Sequence, residues 1–138
     1  MKKCSSIDTD DILYKFLAQA KAEGLIEING IICPEDDRPA DSQTEDITFK
    51  TIAITEDKPQ DATANINIYV PDVKVKIRGT EQTMQNRPRL QEIGDQVKAF
   101  LRELNPDDLE MWIESDTLLS ETAARQHYRN LRIKFNIH

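Results

Sequence analysis

Between Pro88 and Asn105-Pro106, apolar residues recur at Leu90, Ile93, Gly94, Val97, Phe100, Leu101 and Leu104, the spacing of one helix face. Proline fits a first helical turn, where its missing N–H costs nothing, and Asn-Pro closes the segment. The pattern predicts an amphipathic helix that must bury one side against something else. A surface able to receive it is written elsewhere at period two. Ala64, Ile66, Ile68 and Val70 alternate with Asn65, Asn67 and Tyr69, and Leu131, Ile133, Phe135 and Ile137 alternate with Arg132, Lys134, Asn136 and His138. Each run reads as a strand with one buried face.

The remaining segments fill in a plan. Asp8, Asp10 and Asp11 precede a second helical stripe, Ile12, Leu13, Phe16, Leu17 and Ala20, which ends at Gly24 with Lys21 in the last turn. Acids at the start and a base at the end suit the helix dipole. Residues 25–33 are β-like, with Asn29-Gly30 as either a tight hairpin turn or a bulge. In residues 47–54 the apolar phase shifts from Ile47 and Phe49 to Ile52 and Ile54, which predicts a bulge or two-sided burial. That run and residues 64–70 form a hairpin across the turn at 56–61, and residues 109–119 are β-like with an interruption at Ser115-Asp116. The order of helix, three strands, helix and two strands predicts an α+β fold, a mainly antiparallel β-sheet of about five strands with two helices packed on one face. Residues 1–138 are expected to form a single domain, with 1–7 a flexible N-terminus and 34–46 and 71–87 mobile loops. A weak Val73-Val75-Ile77 alternation allows a strand extension in the second loop. The expected core is Leu13, Phe16, Leu17, Ile93, Val97, Phe100 and Leu104 packed on Ile66, Ile68, Ile133 and Phe135.

Composition excludes several classes of protein. At 38% hydrophobic and 31% charged, with charge interleaved among apolar positions, the chain is not of disordered type. No apolar run approaches the roughly 20 residues of a membrane helix. The basic start reaches Asp8 with no apolar stretch between, so no signal peptide and no export by that route are expected. Cys4 and Cys33 are too few for a disulfide framework, which points to a reducing compartment. A net charge of −7 opposes nonspecific attraction to nucleic acid or anionic lipid. The charge is unevenly placed. Residues 35–61 carry a net −6 and residues 71–89 a net +3, and no acid follows Glu121.

Few residues carry the patterns that chemistry needs. The histidines are His127, in an expected turn, and His138, and nothing orders either beside a nucleophile. Cys33 with His127 is the one conceivable pair, against the simpler reading of a buried thiol. Glu35, Asp36, Asp37, Asp41, Glu45 and Asp46 lack the spacing of a calcium loop and read as a solvated acidic segment. No Cys or His pairs have zinc spacing, and four glycines supply no phosphate cradle. No catalytic residue, metal site or cofactor is therefore expected. The basic residues from Lys74 to Arg89 have no aromatic among them to stack on bases, which favours a protein interface or a solvated loop. Trp112, between Met111 and Ile113, reads as core before interface anchor.

The element order and several strings resemble the tail-completion, or minor tail, proteins of bacteriophages and prophages. A first helix ending at residues 20–24 is followed by Gly30-Ile31-Ile32 and a proline-containing loop, Pro34 to Pro39. Residues 47–54 and Asn65-Ile66-Asn67-Ile68-Tyr69-Val70 resemble that family's central hairpin, residues 90–104 its long helix and residues 128–137 its closing strand. Glu45-Asp46 stands where the family has a Pro-aromatic pair, and the 71–87 loop is longer. The resemblance implies no enzyme and no cofactor. It implies a structural protein forming a homo-oligomeric ring, often a hexamer, that meets tail-tube or head-to-tail connector proteins. The implied place is the cytoplasm of a bacterial host and then a virion or phage-like particle, without membrane or direct nucleic-acid contact. The expected interaction residues are Lys74, Lys76, Arg78, Arg87, Arg89, Arg129, Arg132 and Lys134, facing the acidic segment 35–61 of a neighbour. An intracellular protein-binding adaptor domain unrelated to virions is the alternative.

Overall fold

The structure, a computed structural model, describes residues 3–57, 59–121 and 124–138. Among these residues the elements run α1 (Ser6–Ala22), β1 (Ile32–Pro34), a 3-10 turn (Glu35–Asp37), β2 (Asp46–Ile54), β3 (Gln60–Pro71), β4 (Val73–Ile77), β5 (Thr80–Met84), α2 (Arg87–Glu103), β6 (Leu109–Glu121) and β7 (Gln126–Ile137). Five strands make one sheet in the order β1-β2-β3-β7-β6, and β4 and β5 pair only with each other. The fold is α+β. Every pairing in the main sheet is antiparallel except that of β1 with β2.

Local chemistry explains the helix ends. Ser5 and Asp8 form a reciprocal capping box at the start of α1, satisfying backbone N–H groups that have no partner within the helix. Asn86 caps α2 by accepting from the Arg89 N–H, with Pro88 in the first turn as its sequence predicts. The Thr9 and Thr51 hydroxyls lie 2.6 Å apart and Asp10 accepts from the Thr51 N–H at 2.7 Å, which fastens α1 to β2.

Register puts both helices on the same side. Thr51 lies opposite Ala64, Ala64 opposite Ile133, and Ile68 opposite Arg129, whose guanidinium reaches the Leu90 carbonyl of α2. Between helices and sheet lie Leu13, Leu17, Leu90, Ile93, Val97 and Leu101 above Ile47, Phe49, Ile66, Leu131, Ile133 and Phe135. The expected core needs correction at its margins. Phe16, Phe100 and Leu104 are only partly buried and pack against the cluster's edge, whereas Phe49 and Leu131 are fully inside.

Three further expectations change. Residues 25–33 form a strand only from Ile32, and Asn29-Gly30 is a bend held by Lys21, which donates to the Gly30 carbonyl at 2.8 Å. The phase shift in β2 is a bulge between Thr51 and Ala53, the first of the two alternatives, and the interruption expected at Ser115-Asp116 in β6 is a second bulge, between Ile113 and Ser115. Residues 71–87, expected as a loop, contain the β4–β5 hairpin. Its turn, Arg78-Gly79, holds both residues at positive φ, 53° and 79°. That is the handedness a two-residue hairpin turn needs, and Gly79 adopts it without strain.

Candidate functional site

The sheet face without helices carries a hydrogen-bond network centred on Glu35. Its carboxylate accepts from the Thr48 hydroxyl at 2.5 Å, the Asn67 amide at 2.7 Å and the Tyr69 hydroxyl at 2.7 Å. Burial, and then the bond to Glu35, pushes the Tyr69 hydroxyl far above its ordinary range, so it stays a donor. Arg38 lies 3.9 Å over the Tyr69 ring and donates to Asp46 at 3.0 Å, and Tyr69 stacks on Tyr128 at 4.8 Å. Burial acts to raise the Asp46 carboxyl, but bonds from Ser42, the Ile31 N–H and Thr44 outweigh it and hold the group low. The acidic segment is thus partly internal, since Glu45 and Asp46 are buried. Acceptors and donors here satisfy one another, tying β2, β3 and the 3-10 turn together.

The chemistry weighed from sequence does not assemble. Cys33 on β1 and His127 on β7 are separated by β2 and β3, roughly 14 Å at the ordinary strand spacing. His127 Nδ1 instead meets Asp72 at 2.6 Å. Burial, and then the Asp46 carboxylate, pushes the Cys33 thiol up, away from the reactive thiolate. Among the described residues no three of His, Cys, Asp and Glu converge in a metal-binding group, and no helix is long and apolar enough to cross a membrane.

The eight basic residues separate into groups. Arg89 donates to Glu45 at 2.6 and 2.8 Å, and Arg129 is buried against Asp116, Asp95 and the start of α2. Both are committed inside their own chain. Arg132 and Lys134 lie on the helix-free face, bonded to Asn65 and Thr63, and Arg87 is exposed at the start of α2. Lys74, Lys76 and Arg78 stand on the hairpin in solvent, with Lys74 3.8 Å from Glu81.

Exposed apolar residues identify a surface that the charges did not. Of eleven large hydrophobic side chains exposed among the described residues, Val73, Ile77 and Met84 are on the hairpin and Trp112, Leu118 and Leu119 on β6, each 39–49% exposed. Trp112, expected in the core, faces solvent beside Lys134 on the helix-free side. The β6 signal was present in the sequence, because Leu118-Leu119 puts apolar groups on both faces of one strand. No protein-family model matches the chain, and no curated protein matches it.

Proposed function

We propose that this protein is a structural assembly protein that acts by ring-like self-association, like the tail-completion or head-to-tail joining proteins it resembles. The observation that carries the reading is the β4–β5 hairpin, a two-stranded ribbon that among the described residues pairs with no other strand and leaves Val73, Ile77 and Met84 exposed. An isolated hairpin is marginal in water, and apolar groups on it gain stability when another surface covers them. The partners are further copies of the chain around the ring, and tail-tube or connector proteins above and below it. Assembly takes place in a bacterial cytoplasm and ends in a virion or phage-like particle. Binding of this kind needs no catalytic group and no cofactor.

Size-exclusion chromatography with light scattering tests the reading. A closed oligomer of fixed mass, several times the 15.8 kDa of the chain, supports it. A monomer that persists at high concentration overturns it in favour of an adaptor domain.

A further inference from the structure

We infer that the β4–β5 hairpin of one copy adds to the open edge of β6 in the next, extending the five-stranded sheet across the subunit boundary. This inference rests on the self-association reading and names the surfaces that would meet.

The two edges of the sheet are unlike. β1 is three residues long and runs straight into the 3-10 turn, so it offers little backbone to a visitor. β6 is thirteen residues long and, among the described residues, pairs on one side only, with β7. Its bulge between Ile113 and Ser115 breaks the edge, which leaves Ser115 to Glu121 as an uninterrupted run opposite Arg132 to Gln126. A long edge with unpaired N–H and C=O groups is a template for another strand. β4 and β5 are each five residues long, short enough to lie along that run, and each has an open outer edge of its own.

Polarity chooses the occupant and its orientation. β6 holds Glu110, Glu114, Asp116 and Glu121 and no base, whereas the hairpin holds Lys74, Lys76 and Arg78 against Glu81. Asp116 is held by Arg129 and Lys98, whereas Glu114, half exposed and only 4.0 Å from Lys134, and Glu121 flank the run in solvent. Glu121 is in phase with Leu119 on the helix-free side, and Glu114 approaches Lys134 there. Leu118 lies on the opposite side, beside α2, where it lines a shallow pocket with Leu90. The hairpin is divided in the same way. Val73, Val75 and Ile77 share one face with Met84, and Lys74 and Lys76 share the other. Laid along β6 by the outer edge of β4, it has one orientation that sets Val73, Val75 and Ile77 on the side of Leu118 and the two lysines on the helix-free side, between Glu114 and Glu121 and within the combined reach of these side chains. Opposite charges and apolar groups on neighbouring strands each stabilise such a pairing. Because the two surfaces differ, the contact is heterologous and closes into a ring when the rotation allows.

Cross-linking between distinguishable copies tests this. In a Cys4→Ser, Cys33→Ser background, one preparation carries Lys76→Cys and an isotope label, and the other carries Thr117→Cys. They are mixed and treated with a short bismaleimide. The expected product is a mixed covalent dimer, formed far more than with a control pair of Lys15→Cys and Thr117→Cys. If light scattering shows the oligomer but the 76–117 link does not exceed the control, self-association stands and this interface is wrong. If no oligomer forms at any concentration, both fall. A second measurement avoids thiols. Reversing Lys74, Lys76 and Arg78 to Glu is expected to weaken association about tenfold or more at low salt. Adding Glu114→Lys and Glu121→Lys should restore it. Association indifferent to the reversal, or a reversal that the compensating pair leaves unrescued, overturns the assignment.

Discussion

Arg89 and Glu45 form a two-point ion pair, the Nε donating to one carboxylate oxygen at 2.6 Å and an Nη to the other at 2.8 Å. The pair ties the first turn of α2 to the residue that leads into β2, 44 positions earlier in the chain. Asn29 joins it from both directions, its backbone N–H donating to Glu45 and its side chain accepting from the Glu45 N–H. Both ion-pair side chains are mostly withdrawn from water, at 24% and 12% exposure, so the contact is stronger than a surface bridge. Arg89→Ala should therefore destabilise the fold by about 1.5–3 kcal/mol, read as a lower midpoint in denaturant. Arg89→Lys, which loses the two-point geometry, should recover only part of this.

Acid should erase that difference. The Arg89 bond is the largest influence on Glu45 and holds its carboxyl below the ordinary range, with burial acting the other way. A carboxylate with a lowered folded-state pKa contributes stability that is present above the unfolded value, about 4.3. The contribution is lost as pH falls through the lower folded value. Asp116, held low chiefly by Arg129, behaves the same way. Equilibrium unfolding at pH 7 and pH 3 should show the full effect of Arg89→Ala at the first pH and a clearly smaller one at the second.

Gly94 is set against the guanidinium of Arg129, and a β-carbon there would overlap it. Elsewhere in a helix an alanine would stabilise by about 1 kcal/mol relative to glycine. Here the guanidinium cannot simply swing away, because it bonds to the Leu90 carbonyl at 3.2 Å and to Asp116. Gly94→Ala should destabilise by about 1–3 kcal/mol, and calorimetry of this single variant gives the sign.

Phe49 and Phe100 separate the centre of the core from its rim. Phe49 is 1% exposed among fully buried neighbours, and Phe100 is only partly buried. Phe49→Ala should cost about 3–5 kcal/mol and Phe100→Ala distinctly less. Equal losses in thermal denaturation would contradict this layout.

The two aromatic positions also show how far the sequence could be read. Periodicity found both helices, the β2–β3 hairpin and the closing strand, and it marked the two irregular strands, as a bulge or two-sided burial in β2 and as an interruption in β6, because each follows from which residues need burial. It placed Phe100 inside because Phe100 continues the apolar stripe of α2, but the side chain sits at the margin of that stripe, beside Leu25, where it is only partly covered. The β4–β5 hairpin was hidden for a different reason. Its alternation is short, and its turn puts Arg78 where Asn or Gly is usual, so the strongest hairpin signal is missing. Of the basic residues proposed for contact, sequence could not separate Arg89 and Arg129, consumed by acids far away in the chain, from Lys74 and Lys76, which stay in solvent. Long-range pairing of charges leaves no local pattern. The exposed strand β6 left one, in Leu118-Leu119, but an apolar pair reads equally well as burial on both faces.

Negative-stain electron microscopy of the concentrated protein tests the claim of ring assembly most directly. Closed particles of uniform diameter, with a central opening and one fixed number of subunits, are expected. Fields containing no particle larger than the 15.8 kDa chain, or open filaments of indefinite length, would contradict it.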